Sequence, residues 1–392
     1  MSKLPSVKKR GALVGNNRNV QTVLSILQFI ALGVPIWFFV LKSSAYFGVS
    51  NHALHFLVLA ASFATATVLT IGIHEGGHLI GAVLAGMTPI KARVGPFEFL
   101  RERYAWRSRW ISSSFSPAHV LNVFFTGIVF AAPSRDKSLR TQYLAMVAAG
   151  PVANGVCAVV CLILARLFQE NHISLLLIGF AAYNLGGAVA NLIPTASPQR
   201  SDGMHLLAWF QGVDEDAPVH VIDKLLGLSI AGVDDEAIWQ RAIAQLSIAA
   251  FPMPVISTYF RMKAAQDRAD WIGAVKTSAL LDQQLAGTTA AQAESVRELL
   301  ALFSCELAFS RVMAGHAGAS PIDAALTCES DWAMPCLRPR CLALHAAVVG
   351  NRADAAHWLG LSATLAERSI DRSMRDSESR LRAVISAKID AR

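Results

Sequence analysis

Thr70-Ile71-Gly72-Ile73-His74-Glu75-Gly76-Gly77-His78-Leu79-Ile80 is a His-Glu-x-x-His pattern inside an apolar run. On an α-helix, residues four apart share a face, so His74 and His78 can offer two imidazole nitrogens to one Zn²⁺. Glu75, beside the first ligand, is placed to act as a base on a water held there. Such a pattern also arises by chance on soluble helices, but these surroundings are not soluble. From Leu54 to Met87 the only side chains able to carry a charge are His55, His74, Glu75 and His78. An ionised Glu at membrane depth costs roughly 2.5 kcal/mol or more unless it is paired or wet. Gly76 and Gly77 add about 1 kcal/mol each relative to Ala in a helix. A helix with only a structural role gains nothing from this combination, so the stretch reads as a metal site.

Outward from that stretch, the composition is that of a membrane protein. The chain has 392 residues, 53% hydrophobic and only 16% charged, too apolar for an ordinary soluble protein. The long apolar runs fall within residues 21–195, whereas residues 235–392 read as a soluble helical domain. The net charge of +7 raises nucleic acid as a partner. The basic residues of the membrane half cluster between apolar runs, however, which favours membrane orientation and excludes that reading. The six cysteines form no disulfide framework and fit a reducing compartment.

In chain order, residues 1–20 are a basic start, with Lys3, Lys8, Lys9, Arg10 and Arg18. Four spans are expected: Val23–Leu41, Leu54–Met87, Tyr143–Phe168 and Leu175–Ile193, each long enough to supply the roughly 20 residues that cross a bilayer, the second with length to spare. The first run is longer than a signal-peptide core, so it reads as a retained anchor. Residues 88–140 carry Lys91, Arg93, Arg101, Arg103, Arg107, Arg109, Arg135, Lys137 and Arg140. By the positive-inside rule that loop and both termini are cytoplasmic. Within it, Ile90 to Leu100 reads as a strand broken at Gly95-Pro96, and Val120 to Ala132 as a re-entrant or interfacial segment. Arg101 to Trp110 interleaves Arg with Tyr104, Trp106 and Trp110, as an interfacial anchor does. Residues 211–235 read as a linker. Beyond them, Ala237–Ala249, Val255–Ala265, Asp270–Leu285, Ala290–Met313, Arg338–Val349, Ala353–Ala366 and Ser373–Ala387 are amphipathic. They suggest a tetratricopeptide-like array or an irregular bundle, with no clean period of about 34 residues. The fold class expected is therefore mainly α. It comprises a polytopic membrane core over residues 21–210, with a small membrane-associated β segment, and a soluble helical domain over residues 236–392.

A catalytic zinc site takes three protein ligands and keeps one position open. Asp202, just after the fourth span and before Gly203, is the best candidate for the third. The competing reading is a turn Asp before Gly. Cys328, Cys336, Cys341 and His345 match no common zinc-finger spacing and read as scattered residues. Cys157 and Cys161 read as packing residues of the third span, and His205 as a plain loop His.

His74-Glu75-Gly76-Gly77-His78, then Ala149-Gly150-Pro151 with Asn154, then Asn191-Leu192-Ile193-Pro194 leading to Asp202-Gly203 together resemble the motifs of the site-2 protease family of intramembrane zinc metalloproteases. The resemblance covers roughly residues 54–210. It implies Asp202 as third zinc ligand, Glu75 as general base, and Asn154 near the site as a substrate-binding or oxyanion-binding residue. Ser201 stands where the family usually has Leu, and the loop from Pro194 to Asp202 is longer than usual. No inserted PDZ-like or CBS-like domain is visible.

The expected function is hydrolysis of a peptide bond within or beside a membrane-spanning protein or peptide, in regulated intramembrane proteolysis or membrane-peptide maturation. An intramembrane helix must unwind to be cut, and the strand-like Ile90–Leu100 could hold it extended by strand addition. The partners expected are that substrate, the lipid bilayer, and a protein bound by the C-terminal helices. The location expected is a bacterial inner membrane. The rival reading is a catalytically silent membrane scaffold whose helical array recruits partners. A scaffold has no use for His74, Glu75, His78 and Asp202 together. A zinc transporter would need polar groups along a whole pathway, and the first, third and fourth spans are poor in them.

Overall fold

The computed structural model describes residues 18–48, 51–111, 126–168, 172–196, 200–233, 236–316, 322 and 325–390. The helix that carries the His-Glu-x-x-His pattern, α2, follows α1 (Arg18–Phe47) and runs His52–Ala85. The Asn51 side chain caps α2 by accepting from the Leu54 N–H at 3.2 Å. Gly86 ends it at φ 88°, the left-handed conformation that glycine adopts without strain. At 1.5 Å per residue α2 is roughly 51 Å long, more than the hydrocarbon of a bilayer. It therefore has length to spare beyond a span.

Helices α3 (Leu139–Leu167) and α4 (Ile173–Leu192) complete the four helices long and apolar enough to cross a membrane. They point large apolar side chains outward, including Phe29, Phe56, Leu84 and Leu167. Such faces suit lipid, where a soluble protein would not leave them. Within this unit α3 packs on α2, and α4 lies against both α1 and α3. Small residues allow the closest approach. A Cβ at Gly77 would fall on the Ala149 carbonyl and on Ala153, and one at Gly81 would strike Ala149 and Ala145. Two glycines four apart on α2 thus seat it directly on the backbone of α3.

Between α2 and α3 lies a four-stranded antiparallel sheet. It comprises β1 (Thr88–Val94), β2 (Phe97–Arg101), β3 (Trp106–Trp110) and β4 (Gly127–Ala132), in the order β3-β2-β1-β4. The break at Gly95 is a hairpin turn at φ 55°. It pairs Lys91 with Leu100 and Val94 with Phe97. Two expectations change here. The interleaved Arg and Trp of 106–110 form β3, because alternate residues face opposite sides of a strand. Its Arg109 then reaches Glu98 on β2 at 2.6 Å. The segment Val120–Ala132 ends in strand β4 paired with β1, while its first part, through residue 125, lies outside the described residues. The basic start over residues 1–17 also lies outside them.

The chain divides into two compact units near Asp214 and Glu215, with Glu102–Ala105 grouping with the second. Helix α5 (Asp202–Gln211) closes the first unit. The second holds α6 (Pro218–Ala231), α7 (Glu236–Ser247), α8 (Met253–Asp267), α9 (Trp271–Leu285), α10 (Ala290–Ser295), α11 (Arg297–Met313), α12 (Cys328–Ala333), α13 (Leu337–Val348), α14 (Arg352–Ala366) and α15 (Arg372–Asp390). Within the stretch read as a linker, α6 is a helix. Pro218 opens it at the position where a missing N–H costs nothing, and Val221, Leu225 and Leu228 are buried with Leu246 of α7. Consecutive helices α8–α9 and α13–α14 pack as pairs. The protein as a whole is mainly α, with a small sheet in its apolar half.

Candidate metal centre

Three helices bring the site together. His74 and His78 project from α2 with their Nε2 atoms 3.1 Å apart. Asp202, the first residue of α5, places Oδ2 2.9 Å from His74 Nε2 and Oδ1 3.5 Å from His78 Nε2. The candidate ligand atoms all lie within 4.8 Å of one another, and among the described residues this is the one such group. Ligand atoms on a tetrahedral zinc stand roughly 3.3 Å apart, from bond lengths of about 2.1 Å. The observed spacings straddle that figure, so the residues fit a metal ion of this kind.

Helix α3 supplies the wall behind them. A Cβ at Gly150 would fall on the His78 ring and lie 2.9 Å from His74 Nε2. Only glycine leaves both rings their place. The Met146 carbonyl accepts from His78 Nδ1 at 2.9 Å, and Asn154 Nδ2 lies 3.2 Å from His74 Nδ1. Asn154 is almost fully buried, and its Oδ1 has no hydrogen-bond partner among the described residues.

Asp202 is set by its neighbour. The Ser201 hydroxyl accepts from the Thr195 N–H at 3.0 Å and the Met204 N–H at 3.2 Å, and donates to the Ile193 carbonyl at 2.6 Å. This caps α5 and ties its start to the end of α4. A Cβ at Gly203 would fall on the Leu192 carbonyl, so the residue after Asp202 must be glycine for the two helix ends to meet. Tyr143 of α3 stacks on Trp209 of α5 with ring centroids 5.0 Å apart. The serine that departs from the family pattern therefore acts as a helix cap. His205 also lies in this helix rather than in a loop.

Glu75 is buried beside the group and makes no hydrogen bond or ion pair among the described residues. Its carboxylate lies against the start of β4, where a Cβ at Gly127 would overlap it. The site thus holds two carboxylates, Glu75 buried and Asp202 half-buried, and among the described residues neither forms an ion pair with a lysine or arginine. Burial acts to raise the Asp202 carboxyl, but hydrogen bonds from His74 and His78 outweigh it and hold the group down to about 2. An anionic Asp202 between imidazoles is the donor set a divalent cation takes.

The sequence motifs therefore converge: His74, Glu75, His78, Asn154 and Asp202 meet at one place. Reading from sequence missed Gly150, Met146 and Gly127. The Ala149-Gly150-Pro151 motif pointed at the first without giving its reason. A backbone carbonyl has no sequence signature, and Gly127 is met only through sheet pairing.

The cysteines stay apart from this centre. Cys305 donates to the Ala325 carbonyl at 2.8 Å, Cys336 and Cys341 are buried in the core of the helical unit, and Cys328 is exposed. No protein-family model matches the chain. No curated protein and no solved structure gives a match either.

Proposed function

We propose that this protein is a membrane-embedded zinc endopeptidase of the site-2 protease type, cutting a peptide bond within or next to a membrane-spanning segment. The observation that carries the reading is the convergence of His74, His78 and Asp202 from two helices beside a buried Glu75 that has no hydrogen-bond or ion-pair partner among the described residues. His74, His78 and Asp202 would hold the ion, and zinc bound there supplies Lewis acidity and a water that ionises near neutral pH. Glu75 takes a proton from the attacking water and passes it to the departing amine as the C–N bond breaks. Gly150 keeps the imidazoles in place, and the helices around the site limit access of bulk water.

The substrate must be extended to be cut, and a sheet edge can hold it so. The expected strand, Ile90–Leu100, has no free edge: β1 pairs with β2 and β4, and β2 pairs with β1 and β3. Among the described residues β4 has a single partner strand, and its first residue lies against Glu75. The edge of β4 is therefore where an extended segment would lie in this reading. The C-terminal helices are proposed to bind a regulator or the substrate's soluble part. A bacterial inner membrane, with the basic loop inside, is the proposed location.

The test compares wild type with Glu75→Gln in detergent, measuring zinc per chain and cleavage of a panel of single-span proteins. About one zinc in both, with cleavage by wild type alone, is the expected outcome. Absence of zinc in either would overturn the enzyme reading and favour the scaffold.

A further inference from the structure

We propose that Asn154 is a positioning residue that selects the tautomer of His74, and with it whether the site is ready for metal. The inference rests on the metal-centre reading above and goes beyond it.

The two histidines differ in what fixes them. His78 Nδ1 faces the Met146 carbonyl at 2.9 Å. A carbonyl only accepts, so Nδ1 carries the proton and the neutral ring keeps its lone pair on Nε2. That lone pair points into the cluster. His74 faces a side-chain amide instead, 3.2 Å from Nδ1. An amide can present its nitrogen or, after a half-turn about its last bond, its oxygen. With Nδ2 toward the ring, His74 Nδ1 accepts, and its proton sits on Nε2. From there it is donated to Asp202 Oδ2 at 2.9 Å. This arrangement satisfies Asp202 without a metal, but it blocks His74 Nε2 as a ligand.

It also leaves Asn154 Oδ1 buried with no partner among the described residues, an unfavourable position for an amide oxygen. Turning the amide gives that oxygen the Nδ1–H of His74 and moves the lone pair to Nε2. Both imidazoles then present Nε2 lone pairs to the point that Asp202 faces. Asn154 thereby does for His74 what the backbone does for His78, but reversibly. It needs no contact with substrate to do so.

The experiment uses the full chain in detergent. Zinc affinity is measured by competition with a chromophoric chelator, and the cobalt-loaded protein is followed by its visible spectrum. Asn154→Leu keeps the branching of the side chain and removes both polar atoms, whereas an ionised Asn154→Asp only accepts. Zinc binding is expected to weaken roughly 10–100-fold in Asn154→Leu, the usual loss when a group orienting a metal-bound His is removed. Asn154→Asp is expected to bind as tightly as wild type with the same cobalt spectrum. Asn154→Ala replaces the Leu variant if the latter does not elute as a folded protein. Wild-type affinity in the Leu or Ala variant would overturn the proposal. So would a loss in Asn154→Asp as large as in Asn154→Leu, since that pattern reports packing. Unchanged zinc binding with only KM raised would make Asn154 a substrate contact, again overturning it. A wild type that loads zinc beside a variant that loads equally sinks this proposal alone. A wild type that takes up no zinc sinks the metal reading and this proposal together.

Discussion

Each half of this protein buries a group of charges, and the two groups are balanced differently. In the helical unit, Arg340 reaches Glu306 at 2.6 Å and Glu378 at 3.2 Å, and Lys263 reaches Glu306 at 2.9 Å. Two acids meet two bases, and Gln266 adds hydrogen bonds to Glu306 and Ser310. In the apolar unit, the buried Glu75 and the half-buried Asp202 lie with histidines and, among the described residues, with no lysine or arginine. The first group is complete within the chain. The second could be balanced by protonating its histidines or by a bound cation. Burying charge is costly unless it is compensated, and in the proposed reading a bound cation would supply that compensation.

The comparison breaks most visibly at Arg340. Arg340→Met leaves Glu378 without its arginine, and Glu306 with Lys263 as its one basic partner, in a dry core. It should destabilise the helical unit by about 3–5 kcal/mol. Amide exchange over Arg297–Met313 would rise, while zinc per chain stays as in wild type. Loss of zinc in that variant would show that the two units are not independent.

A helix-crossing change should be next in size. Gly77→Val places side-chain atoms on the Ala149 carbonyl. It should cost about 1–3 kcal/mol by overpacking and weaken metal binding as His74 and His78 shift. Melting with and without zinc measures both effects.

Acid sharpens the contrast from the other side. Burial would raise the Glu306 carboxyl, but Arg340 first and Lys263 next hold it down to about 2, from an ordinary 4.5. A lowered folded pKa means that stability is complete above about 4.5 and is lost as pH falls toward about 2. Circular dichroism melts of the full chain should therefore fall between those limits. In Arg340→Met the fall should be smaller, because Glu306 no longer has its main partner.

The smallest effect on stability is expected from Asp202→Asn. The amide still offers an oxygen to His74, so the metal-free protein should change by about 1 kcal/mol or less. Zinc binding, in contrast, should be lost, because a neutral amide does not replace a carboxylate ligand. A large fall in metal-free stability would place Asp202 with Arg340, as part of the fold.

Much of this was legible before any fold was known. Apolar length marked α1 to α4, since crossing hydrocarbon demands a run of that kind. Local spacing marked His74, Glu75 and His78, because a helix puts residues four apart on one face whatever surrounds it. The helices of the C-terminal half were legible from periodicity, except α6, which lies in the stretch read as a linker, and the short α12, which fell between the amphipathic segments.

What the sequence by itself determined, then, were properties of single segments: span, helix, strand, and two ligands on one turn. Only the tertiary structure decided what joins segments far apart in the chain. It brought Asp202 to His74 across 128 positions, set Gly127 against Glu75, and among the described residues put β4, not β1, at an edge of the sheet. The reason is physical. Helix formation and membrane insertion depend on neighbours in sequence, whereas ligand sets and sheet edges depend on which backbones approach most closely. Here that approach is permitted by Gly77, Gly150 and Gly203, whose missing side chains have a meaning only once their partners are in place.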